Sequence, residues 1–167
     1  MNTTRGSLVA SILLGATRVA LGAFWLNEGL FKYQAGFAGD DIRLVVDGAT
    51  RNSRVPEYFQ AFADGPMRAA SELLGFVIPL LETGLGVVLV LGLLTFPAAL
   101  GSVLTLMLYW SADQLIAQYP VMVVLSLPIV AWPLLASRFG LTSLLERMRL
   151  RRHPDARPLA PAVRRWL

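Results

Sequence analysis

The stretch LLGFVIPLLETGLGVVLVLG, residues 73–92, carries one ionisable side chain, Glu82, in a run of otherwise uncharged and mostly apolar residues. A transmembrane helix needs roughly 20 predominantly apolar residues to cross a hydrocarbon core of about 30 Å, and this run is that long. A carboxylate near the middle of such a span costs about 2.5–3.5 kcal/mol on the lenient insertion scale, so it normally faces the protein interior and has a partner. The fold therefore turns on what Glu82 meets.

Working outward, three more apolar segments flank it, and spans are predicted at 7–32, 70–94, 97–117 and 121–138. The 167-residue chain is 55% hydrophobic and 16% charged, with a mean hydropathy of +0.57, which is too apolar for a soluble domain of this size. LLTFPAA and AQYPV leave room only for tight turns, with Pro97 and Pro120 suited to helix starts. Pro128 and Pro133 are expected to kink the fourth span. The expectation is an all-α integral membrane four-helix bundle over residues 1–138, followed by a basic amphipathic cytoplasmic tail over 139–167.

Orientation follows from arginine in the flanking segments. From Arg138 onward eight arginines face two acids, a net of +6, whereas the segment 33–69 has four arginines against five acids, a net of −1. Both termini are thus expected in the cytoplasm, with 33–69 as a long outer loop. A signal-peptide reading of the N-terminus competes, but Arg18 interrupts its apolar run. In the loop, VPEYFQAFADGP predicts a short amphipathic helix at the membrane surface, either a lid or an interfacial anchor. The tail segment LTSLLERMRLRR sets Leu141, Leu144, Leu145 and Met148 among arginines, which suits the anionic inner leaflet better than nucleic acid.

With no cysteine, and with its only histidine, His153, in the tail, the sequence offers no Cys/His metal site, disulfide or bis-histidine haem ligation. Redox chemistry would need electrons from a partner or a bound organic cofactor. At about 100° per residue, Arg18, Trp25, Glu28 and Lys32 share one face of the first span. Glu72, Gly75, Pro79, Glu82 and Gly86 share a face of the second, and Ser102, Thr105, Tyr109 and Asp113 one of the third. Converging stripes predict an interior polar site. Counting 1.5 Å per residue from the predicted span ends places Arg18 and Glu82 both near the midplane, so they are expected to pair. Glu28 and Lys32 are spaced for a helical ion pair worth only about 0.2–0.5 kcal/mol when exposed. Two readings stand for them, site formation or snorkelling to the headgroups. Likewise Trp25, Tyr109 and Trp110 suit either stacking on a flat ligand such as a quinone or an interfacial aromatic belt.

RVALGAFWLNEGLFKY at 18–33 and LLETGLGVVLVLGLLTFPAAL at 80–100 resemble the first two helices of the DoxX/DoxD family of small four-span membrane proteins. The likeness covers roughly residues 8–137, and the long outer loop is more similar to the DoxD type. It implies a membrane subunit of a redox system like thiosulfate:quinone oxidoreductase in a bacterial plasma membrane, with a second, DoxA-type subunit as partner. By the resemblance, Arg18, Lys32 and Glu82 match the family's polar positions. The expected site is a polar intramembrane pocket for a quinone or a small anionic substrate. Its candidates for binding or proton relay are Arg18, Trp25, Glu28, Lys32, Glu82, Tyr109, Trp110 and Asp113, with no metal. A scaffold for a partner oxidoreductase and a small solute transporter are the competing functions.

Overall fold

The computed structural model describes residues 2–166, whose regular elements are all helices, with no strand among them. The elements are α1 (Asn2–Ala35), α2 (Gly39–Arg51), α3 (Glu57–Phe62) leading into a π-helical turn (Ala63–Met67), and α4 (Ser71–Leu91). Then come α5 (Thr95–Ser111), α6 (Gln118–Ala131), α7 (Pro133–Ala136), α8 (Leu141–Arg152) and α9 (Pro161–Trp166). Two of them, α1 and α4, are long and apolar enough to cross a membrane.

The tightest pairing, α1 against α4, comes from missing side chains. A Cβ on Gly86 would lie 2.7 Å from the Leu26 nitrogen and 2.9 Å from the Gly22 oxygen, so no larger residue fits without parting the helices. Helix α6 packs on both α1 and α5, and α4 also touches α5. Leu21, Trp25, Leu85, Leu89, Leu106, Met122 and Ile129 fill the space between the four helices.

The helix boundaries differ from the predicted spans for local reasons. At the end of α4, Gly92 adopts φ +70°, and the Leu93 and Gly92 amides bond the Val88 and Leu89 carbonyls in a Schellman-type stop. Asp113, at φ 56°, lies just beyond the end of α5, leaving a helix of 17 residues, about 26 Å at 1.5 Å per residue. Helix α6 breaks at Trp132, whose successor Pro133 opens α7, so the fourth predicted span is two pieces rather than one kinked helix.

The segment between α1 and α4 departs furthest from expectation. A second helix, α2, precedes the predicted one, and it buries Ile42, Val46 and Ala49 at helical spacing. These join Val55, Phe59, Ala63 and Met67 in a separate small core that rests on α4. The segment is a folded cap with a small core of its own. Gly75 permits its approach, since a Cβ there would meet the Ala38 and Gly39 backbone. Arg68 donates to Asp47 at 2.8 Å and holds that carboxyl below its ordinary range. At the other end, α9 packs back on α5 and α7, with Trp166 edge-on to Phe96 at 5.0 Å.

Candidate functional site

Side chains from α1, α4, α5 and α6 converge at the capped end of the bundle. Lys32 Nζ lies 2.8 Å from Glu82 Oε1 and 3.5 Å from Glu28 Oε2. Tyr109 donates its hydroxyl to the same Glu82 oxygen at 2.5 Å. From α6, Gln118 donates to Glu28 Oε1, and the Tyr119 hydroxyl sits 3.4 Å from Glu28 Oε2. The two tyrosine rings pack at 5.4 Å between centroids. Glu82 is fully buried and its Oε2 has no hydrogen-bond partner among the described residues. The cluster thus holds two carboxylates and one ammonium, away from bulk solvent, with one carboxylate oxygen left over.

Deeper in the bundle, a second polar layer crosses it. Trp25 is fully buried and donates Nε1–H to Ser102 Oγ at 2.8 Å, and Ser102 shares a 3.0 Å bond with Ser126 Oγ. Trp25 is held by this bond and by packing, so it is not a free stacking face.

Arg18 forms a third layer, apart from the first. Its guanidinium donates to the carbonyls of Ala136 at 3.1 Å and Val90 at 3.1 Å, and to that of Leu89. The expected Arg18–Glu82 pair does not form. Leu89 follows Glu82 by seven residues, roughly 10 Å along α4 at 1.5 Å per residue, so the two side chains sit at different levels. Counting depth from the span ends misplaces Glu82 because the first turns of α4 stand beyond the end of α1, under α2. Glu82 is therefore level with Lys32, about four turns along α1 from Arg18. Gly92 makes room for Arg18, since a Cβ there would lie 2.6 Å from its Nη1, and Gly140 in turn admits the Gly92 backbone.

Two other expected candidates lie elsewhere. Trp110 is 64% exposed on the outer side of α5 and faces away from the cluster. Asp113 accepts from Asn52 and Arg54, tying the cap to the end of α5, because its positive-φ turn swings it off the helical stripe. Glu72 is also outside, paired with Arg43 at 2.9 Å. Conversely, Gln118, Tyr119 and Ser126 belong to the polar layers although the sequence reading does not single them out. Their signal is the spacing of 118, 119, 122, 126 and 129, the inward face of α6.

A cavity of about 210 Å³ opens beside the first layer, between the cap and helices α4 and α5. Its walls include Phe37, Ile42, Phe59, Leu74 and Ile78, and Lys32 and Tyr109 supply polar groups to it. An ammonium has three donors; Lys32 gives one to Glu82 and pairs with Glu28 at 3.5 Å. Compared with protein-family models, curated proteins and solved structures, the chain matches none.

Proposed function

We propose that this chain is a four-span membrane protein of the DoxX/DoxD type, a quinone-reactive subunit of a redox system, with both termini on the cytoplasmic side. Helices α1, α4, α5 and the α6–α7 pair serve as the spans, and the arginine-rich tail favours the inner face. The observation that carries the reading is the apolar cavity provided with Lys32 and Tyr109 as polar groups. Apolar walls with a few placed polar groups characterise sites for small flat ligands. The volume, about 210 Å³, falls below the roughly 300–1,000 Å³ of drug-sized sites, which suits one ring rather than a whole tailed molecule.

A small anion suits the site less well. Lys32 is already flanked by two carboxylates and Arg18 by three carbonyls, so neither cation is free to pair with one. Reduction of a quinone takes up two electrons and two protons. The electrons would come from a partner oxidoreductase subunit acting on a sulfur donor such as thiosulfate. This chain's residues would orient the ring oxygen through Lys32 Nζ, with Tyr109 holding Glu82 through its own hydroxyl, and would carry a proton on Oε2 of Glu82.

The test is quinone binding by the full chain purified in mild detergent, compared with Tyr109→Phe and with Leu74→Trp, which fills the cavity. Tyr109→Phe removes the hydroxyl that holds the Glu82 carboxylate beside the cavity and should weaken binding by up to about tenfold, or about 1.4 kcal/mol. The filled cavity should abolish it. Unchanged affinity in both variants would remove the reading.

A further inference from the structure

At the opposite end of the bundle from the cap, the chain after α7 folds back and builds a second, chemically different cavity. It measures about 290 Å³ and is lined by Leu134, Arg138, Arg147, Leu159 and Arg164. Three arginines from three separate places in the sequence meet there: the turn after α7, the exposed side of α8, and α9.

Their positions are fixed by contacts that leave donors over. Arg138 sits over Phe139 and reaches Ser11 Oγ at 3.4 Å, and Arg147 donates to the Arg138 carbonyl at 3.1 Å. Arg164 lies 3.2 Å from Glu146 Oε2 and also donates to Ser143 Oγ at 3.3 Å. Glu146, itself buried, accepts the Leu159 amide at 3.0 Å, which pins the stretch of chain leading into α9. Glu146, the one carboxylate at this place among the described residues, is therefore committed to Arg164. Among the described residues, three guanidiniums meet one carboxylate at the cavity, an excess of two positive charges. Each guanidinium has five N–H donors in a fork that matches phosphate oxygens.

The surroundings say where the phosphate would come from. Leu134 and Leu159 form part of the cavity wall, and Trp132, Phe139, Leu144, Leu145 and Trp166 around the same end are each more than half exposed. Aromatic and leucine side chains beside arginines suit the boundary between headgroups and acyl chains.

We infer that the cavity of Arg138, Arg147 and Arg164 binds the phosphate of an anionic phospholipid, with its acyl chains running over the neighbouring apolar side chains. The site is distinct from general attraction of the basic tail to a negative surface, because it depends on forked donors at fixed places. Charge alone does not distinguish Arg147 from Arg151 or Arg152, which are exposed on the same helix. Geometry does.

The experiment is native mass spectrometry of the full chain in mild detergent with phosphatidylglycerol, phosphatidylcholine or inorganic phosphate added. Phosphatidylglycerol should be retained at least about tenfold more tightly than phosphatidylcholine, the size of one good charge-assisted contact. Arg138→Lys and Arg147→Lys keep the charge and should each weaken retention severalfold, while Arg151→Lys should not. Both variants alter partly exposed side chains, and an unchanged melting temperature will show that they fold. Equal retention of the two lipids, or unchanged retention in Arg138→Lys and Arg147→Lys, would overturn the inference. So would displacement of the lipid by millimolar inorganic phosphate, which would assign the cavity to the soluble ion.

Discussion

Lys32 Nζ and Glu82 Oε1 are 2.8 Å apart across the α1–α4 interface, and the carboxylate is fully buried. The pair answers what a charge is doing inside an apolar helix. Glu28, four residues before Lys32, flanks the same ammonium, so one cation serves two carboxylates. Breaking such a pair from one side is expensive because the partner remains in the interior.

Lys32→Met should therefore lower stability by about 3–5 kcal/mol, read as thermal unfolding in detergent. Adding Glu82→Gln should restore part of that loss, since the second change removes the stranded charge. A double variant that is the sum of the two singles would show that the residues do not interact.

Arg18 should behave as an independent structural group. Arg18→Leu removes the guanidinium from the Ala136 and Val90 carbonyls and leaves that of Leu89 with the Gly92 amide alone, and should cost roughly 2–4 kcal/mol. Its effect should add to that of Glu82→Gln within about 0.5 kcal/mol, as for distant sites. A larger coupling would restore the direct pair that the sequence suggested.

Gly86→Ala should separate α1 from α4, because the added Cβ meets backbone that cannot rotate away. A loss of about 1–3 kcal/mol is expected. Gly84, on the same helix, has nothing within 4 Å of where a Cβ would stand, so Gly84→Ala should raise stability by up to about 1 kcal/mol. Equal effects at the two positions would contradict the close approach.

The cap should unfold without the bundle. Phe59 is buried in the small core of α2 and α3, and Phe59→Ala should cost about 3–5 kcal/mol there. Hydrogen exchange should quicken over residues 39–67 and stay slow in α1 and α4. Uniform acceleration would mean that cap and bundle form one cooperative unit.

What the sequence made legible follows from periodicity. The stripe of Trp25, Glu28 and Lys32 and that of Glu82 do face one another, because helix geometry fixes which residues share a side. Vertical register was not legible. It depends on how far α4 extends past α1, and that is set by Gly75 admitting the Ala38–Gly39 turn, a tertiary contact with no local signature. Asp113 left its stripe because α5 ends before it, a boundary that a period cannot mark. Helix α2 was readable in principle, since Asp40 and Asp41 stand at its start and Ile42, Val46 and Ala49 follow at helical spacing. The contribution of α6 was hidden for a different reason: its polar residues are uncharged and sparse, so Tyr119 read as part of the AQYPV turn and Ser126 as part of an apolar span.

The proposed ligand site is tested most directly by labelling the full chain in membranes with a photoreactive quinone and mapping the adducts by mass spectrometry. The expected result is saturable labelling within 37–45, 74–81 and 105–112, which line the cavity, suppressed by excess unlabelled quinone and lost in Leu74→Trp. Labelling that never saturates, or that falls only on the groove around Leu115 and Val124 between α5 and α6, would contradict it.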